Sequence, residues 1–158
     1  MFQSGTAYRE LRKGIVTKNL VAVVSLPNGI FNPYSGVKTS ILFLNRQLRK
    51  EHNDILFVDL KNDGYSLGTQ RKPVKGNQIP EIIEIIKKFQ NNETFEDNSL
   101  AFRIPRKEVM KDDFSLAVNK YKKIEVDNTV YEDPKDIIRR LNDNNITYQE
   151  LLKKLEDV

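Results

Sequence analysis

The sequence predicts an α/β fold: a mixed sheet with flanking helices and a short helical tail at its carboxyl end. Three observations predict it. Apolar runs of strand length recur at residues 20–26, 38–45 and 54–60. Segments with apolar residues at helical spacing stand before and after those runs. Beyond residue 123 the chain turns to short polar stretches that each carry one apolar edge.

Residues 6–18 read as a helix, because Ala7, Leu11 and Ile15 or Val16 recur at helical spacing and Thr6 can cap it. The run "LVAVVSL", 20–26, is continuous and rich in valine, as suits a strand buried on both faces. Pro27 ends it. Residues 27–37 hold two prolines and two glycines and read as a loop. "KTSILFLN", 38–45, is a second strand, antiparallel to its neighbour; "DILFVDL", 54–60, is a third. Asn62-Asp63-Gly64 signals a turn, and "RKPVKGN", 71–77, a basic loop. Residues 79–90 read as a helix with Pro80 in its first turn and a wide stripe of Ile82, Ile83, Ile85, Ile86 and Phe89. A polar loop at 91–98, a short strand at 100–104 and a helical turn at 105–110 follow, and 114–121 is ambiguous.

Asp133-Pro134 is a strong helix start, and Ile137, Ile138 and Leu141 give that helix an apolar edge. Thr147 with Glu150 spells a capping box for a further helix bearing Leu151, Leu152 and Leu155. The two read as a helical hairpin appended to the domain.

Composition narrows the chemistry. The 158 residues suit one ordinary domain, or a small core with an appendage. There is no cysteine, so disulfides and thiolate metal sites are excluded; His52 is the one histidine, which disfavours a histidine metal cluster or a serine–histidine triad. No metal is expected. No apolar run nears the roughly 20 residues of a membrane span, and the amino terminus is too polar for a signal peptide, so a cytoplasmic protein is expected. The net charge of +4 is compatible with a nucleic-acid partner, although the scattered lysines also read as solvated surface. The seven glycines are isolated, with no G-x-G pair and no phosphate-binding loop. Asp112-Asp113 reads as a solvated helix end.

The stretch "AYRELRKGIVTKNLVAVVSLPNGIFNPYSGVKTSILFLNR" carries a more specific signal. Leu11-Arg12, Ser25-Leu26-Pro27, Gly29 with Phe31, Pro33-Tyr34 with Gly36, and Thr39 with Ile41-Leu42-Phe43 follow one another in fixed order. "FVDLKNDGYSLGTQR", "IPEIIEIIKKF" and "FRIPRKEV…DDFSLAVNKY" continue it. In order and spacing this resembles the methylation subunits of type I restriction–modification systems, which are adenine-specific DNA methyltransferases. The resemblance spans about residues 1–123.

The resemblance implies the carboxy-terminal part of a Rossmann-like methyltransferase sheet over residues 1–123, and a helical tail for packing or subunit docking over 124–158. The intact protein would transfer methyl from S-adenosylmethionine to the adenine amino group. Its cofactor turn and its Asn-Pro-Pro-Phe/Tyr loop would lie upstream of Met1. The run Asn32-Pro33-Tyr34 lacks the second proline and reads as a different loop that shares letters with it. This chain alone is then expected to be inactive and to bind no S-adenosylmethionine. DNA, a specificity subunit and a restriction subunit would be its partners, and an uncovered sheet edge implies self-association.

Site residues follow in the same way. A base flipped from the duplex needs a flat apolar partner. Phe31 matches the aromatic position of the family, with Tyr34 as second candidate; packing alone is the other reading of Phe31. Lys38, Arg71, Lys72 and Lys75 are candidates for contact with DNA, with a structural carboxylate pair as the alternative for Arg71. Asn119 and Tyr121 are expected to anchor a returning segment. Ile137, Ile138, Leu141, Leu151, Leu152 and Leu155 form the docking set, or else pack on the core. A non-catalytic module that binds DNA or a specificity subunit is the alternative function.

Overall fold

The structure, a computed structural model, describes residues 5–122 and 132–156. The chain divides into two compact units, Met1–Lys123 and Ile124–Val158.

The first unit runs α1 (Thr6–Lys18), β1 (Leu20–Ser25), β2 (Ser40–Leu44), α2 (Arg46–Glu51), β3 (Asp54–Asp59), α3 (Ile79–Gln90), β4 (Ala101–Pro105), α4 (Arg106–Lys111) and α5 (Val118–Tyr121). Among the described residues the strands form a sheet in the order β2-β1-β3-β4. β1 is antiparallel to β2 and parallel to β3, and β3 is antiparallel to β4. The mixed α/β sheet is therefore the one expected, including the antiparallel second strand.

Successive residues of a strand face opposite sides, and here both sides are covered. Ala22, Val24, Leu56 and Val58 pack with Ile82, Ile85, Ile86 and Phe89 of α3. Val23, Ile55, Phe57 and Phe102 pack with Val16, Val109, Leu116 and Val118 on the other side. That is why the sequences of β1 and β3 are apolar without alternation. β2 is an edge strand, with Ile41 and Leu44 49% and 52% exposed.

Several local expectations are corrected. In α3, Ile83 does not join the stripe: it lies outward with Ile79, four residues before it, while 82, 85, 86 and 89 share the buried side. In α1, Leu11 is exposed and Arg12 is buried, because Arg12 turns toward Asp113 (Nη2 to Oδ2, 3.5 Å). Asp113 also accepts from Arg9, so it is an ion-paired tie between α1 and the turn after α4 as well as the solvated end expected, its side chain being exposed. Gly5, not Thr6, stands at the cap of α1. The sequence reading assigned no element to 46–51; α2 forms there because the Asn45 Oδ1 accepts from the amides of Gln47 (2.9 Å) and Leu48 (3.1 Å).

The second unit holds α6, Pro134–Glu156. It is one continuous helix, not a hairpin. No glycine or proline interrupts residues 141–147, and Thr147 does not cap: its hydroxyl donates to the Asp143 carbonyl one turn back, at 3.0 Å. The Glu150 side chain of the expected capping box lies outside the described residues. Ile137, Ile138, Leu141, Leu151 and Leu155 are exposed, and Leu152 is partly so. No helix among the described residues is long and apolar enough to cross a membrane.

Candidate functional site at the carboxyl ends of the parallel strands

β1 and β3 are parallel, so both end at the same rim of the sheet, where α/β proteins place ligands. Two loops leave that rim, 26–39 after β1 and 60–78 after β3. The Arg71 guanidinium ties them together. It pairs with the Asp63 carboxylate and donates to the Ile30 carbonyl (3.1 Å) and the Ser66 carbonyl (3.3 Å). Its cationic centre lies 5.4 Å from the centroid of the Tyr65 ring. The Asn32 amide adds a second tie, donating to the Leu67 carbonyl at 3.2 Å. Gly29 turns the first loop at φ 76°, where a Cβ would stand 2.6 Å from the Asn32 amide nitrogen; only glycine fits both demands.

This frame presents the expected aromatics. Phe31 and Tyr34 share one tight turn, in which the Tyr34 and Ser35 amides donate to the Phe31 carbonyl at 2.9 and 3.0 Å. Phe31 is 49% exposed and Tyr34 95%. Lys38, Lys72 and Lys75 are exposed, whereas Arg71 is half-buried among its three acceptors. The structure thus brings Phe31 and Tyr34 together and makes Arg71 a strut between the loops.

A second feature of the rim had no signal strong enough in the sequence. Ser25 pairs with Ser40 on β2 and with Asp59 on β3. Ser40, Ser25 and Asp59 therefore form one polar row, standing next to the apolar row of Leu42, Val23 and Phe57 on the same face. A cavity of about 260 Å³ is lined by Ser25, Lys38, Ser40 and the segment from Leu116 to Asn119. That segment is held by Leu116 and Val118 in the core, by the Tyr121 ring against Phe57 (centroids 5.0 Å), and by the Lys122 ammonium, which donates to Asp59 at 3.1 Å. The Tyr121 hydroxyl donates to the Ser115 carbonyl at 3.0 Å, the anchoring role expected of it; Asn119 instead lines the cavity. Burial pushes the Tyr121 phenol upward, and nearby Asp112 pushes it the same way, so it stays neutral.

Asp59 is 1% exposed and carries opposing influences. Burial alone would raise its carboxyl, but hydrogen bonds from Lys61 and Lys122 outweigh burial and hold it below the ordinary value. A carboxyl lowered in the folded state adds stability above the unfolded value of about 3.9, lost as pH falls through the folded one. Asp59→Asn is accordingly expected to flatten the acid limb of stability below about pH 4. Urea unfolding from pH 2.5 to 6 checks this; an unchanged slope in the variant would refute it. Among the described residues no cluster of histidine, aspartate or glutamate could hold a metal ion.

Comparison with known proteins gives three findings. The family model for N-6 DNA methylases matches residues 1–129. The methylase subunit of the EcoEI type I restriction enzyme of Escherichia coli is 29% identical over 148 residues, which is 89% of this chain and 28% of that protein. Two solved structures share the fold. A chain from a type I restriction–modification assembly superposes with a TM-score of 0.62 at 21% identity, over 98% of this chain and 33% of that one. The type I methyltransferase subunit from Streptococcus thermophilus superposes at 0.54 and 20%, over 77% and 24%. The chain thus spans about a third or less of the proteins it matches.

Proposed function

Because the chain belongs to the N-6 DNA methylase family, we propose that it works as the carboxy-terminal portion of the methylation subunit of a type I restriction–modification system. The intact subunit transfers methyl from S-adenosylmethionine to the exocyclic amino group of adenine in DNA. The observation that carries this reading is the exposed Phe31–Tyr34 turn at the carboxyl ends of the parallel strands, in a chain of this family. A base taken out of the stack needs such a face to lie against. Residues 1–123 are the catalytic-domain portion and 124–158 the docking tail.

The methyl donor does not fit the turns present. Ser25 leads into Leu26-Pro27-Asn28 and Asp59 into Leu60-Lys61-Asn62, neither of them glycine-rich. Its site and the Asn-Pro-Pro-Phe/Tyr loop belong to the remainder of the subunit. Reading the coding sequence upstream of Met1 tests this: both motifs are expected in frame, and a stop codon immediately before Met1 would overturn it.

In the longest polypeptide that contains these residues, Phe31→Ala is expected to lower kcat/KM for DNA methylation by about 10–100-fold, from one lost base–aromatic contact. The KM for S-adenosylmethionine should stay unchanged. A variant that methylates as well as the parent would remove Phe31 from the base pocket.

The tail supports docking to a helical partner, the specificity subunit in this reading; the restriction subunit completes the complex. Ile138, Leu141, Asn145, Tyr148, Leu152 and Leu155 are spaced alternately three and four residues apart on α6, the seam spacing of paired helices. Ile137 and Leu151 flank the seam. Asn145, polar in such a seam, would fix the register of the pair. The open β2 edge supports pairing with a further strand, from the remainder of the subunit or from a second copy of this chain.

A further inference from the structure

The cavity beside the polar row is absorbed neither by the aromatic turn nor by the tail, and its lining does not include Phe31 or Tyr34. We propose that it is a nucleotide subsite, taking one nucleoside unit with its phosphate at Lys38. This rests on the methylase reading for the choice of ligand class and adds to it a second place where a nucleotide is held.

Size decides first. At about 260 Å³ the cavity falls below the roughly 300–1,000 Å³ of sites for drug-sized ligands, so it suits the base of one nucleoside unit, with the sugar and phosphate outward toward the exposed Lys38. Chemistry decides next. Leu116, Ala117 and Val118 give an apolar wall on which a ring can lie. Ser25, Ser40 and Asn119 carry hydroxyl or amide groups that both donate and accept, which matches the mixed edge of a nucleobase better than an ion or a hydrocarbon. Charge decides last. Among the described residues the lining holds one ammonium, Lys38, and no carboxylate, and the nearby Asp59 already faces Lys61 and Lys122. The local balance favours an anion, and Lys38 is exposed where a phosphate can reach it.

The nucleotide can come from an unpaired DNA strand or from a free mononucleotide. Both are separable by titrating the full 158-residue chain, observed by the amide resonances of Ser40 and residues 116–119. The probes are adenosine 5′-monophosphate, adenosine and a short unpaired DNA oligonucleotide. The monophosphate is expected to move these resonances saturably. Lys38→Ala, an exposed change, should weaken the monophosphate about tenfold and leave adenosine unchanged. Ala117→Leu, which fills the cavity from an exposed position, should abolish the shifts. Displacement of the monophosphate by the oligonucleotide assigns the site to DNA; no displacement assigns it to free nucleotides. The proposal is overturned if no probe moves these resonances at millimolar concentration, or if Ala117→Leu leaves the shifts intact. Methyl transfer that Phe31→Ala lowers and Ala117→Leu leaves unchanged would keep the methylase reading and remove the assignment of this subsite to DNA.

Discussion

Arg106→Met is expected to destabilise the first unit by about 3 kcal/mol, among the largest single effects in the chain. Arg106 is 4% exposed and, among the described residues, has no carboxylate partner within hydrogen-bond reach. Its guanidinium instead donates to three backbone carbonyls: Val16 at 2.6 Å, Leu20 at 3.0 Å and Asp54 at 3.3 Å. These close the end of α1, the start of β1 and the start of β3, so one side chain joins three elements. Burial, with a smaller push from Arg49, lowers the guanidinium to about 10, still cationic at neutral pH. Methionine fills similar space but leaves the carbonyls without donors, at about 1–3 kcal/mol each, offset in part by no longer burying a cation. Lysine would not substitute, because one ammonium cannot reproduce the guanidinium fork. Urea denaturation of the chain measures the loss. A control, Lys88→Ala, removes a pair with Glu84 whose side chains are 40% and 68% exposed and should cost under about 1 kcal/mol. Equal losses for the two variants would refute the account.

Phe57→Ala is expected to cost about 3–5 kcal/mol, the range for deleting a fully buried aromatic ring. Phe57 is 0% exposed at the middle of β3. Its ring stacks near Phe102 (centroids 6.1 Å) and meets Tyr121 at 5.0 Å. The second contact gives the substitution a local signature beyond global stability. Tyr121 belongs to the segment that walls the cavity, so hydrogen exchange over residues 116–122 should accelerate more than over α3, which packs on the opposite face of the sheet. Uniform acceleration across both would show that Phe57 supports the core without a particular hold on that segment.

The elements most legible in the sequence were those with one dominant signal. β1 and β3 are uninterrupted apolar runs and lie within one residue of their expected ends. α3 begins and ends where its proline and its apolar period place it. The antiparallel pairing of β2 followed from two strands close enough in sequence to form a hairpin. Phe31 and Tyr34 were legible through the family resemblance, and loop punctuation around them placed them in a turn. Where the reading failed, two local signals competed. Thr147 and Glu150 spell a cap, yet a threonine hydroxyl inside a helix can bond one turn back. Leu11 and Arg12 are adjacent, and hydrophobicity favours burying the leucine. Asp113, more than a hundred residues away, reverses the order.

The sequence by itself determined the fold class, the strand cores, the aromatic turn and the family resemblance, because each is written in periods and motifs of neighbouring residues. The tertiary structure alone decided that Arg71 is a strut, that Arg106 closes three elements, and that Ser40, Ser25 and Asp59 form a row beside a cavity. Those facts depend on strand register and on contacts between distant segments. No residue's neighbours in the chain encode which residues stand beside it across a sheet.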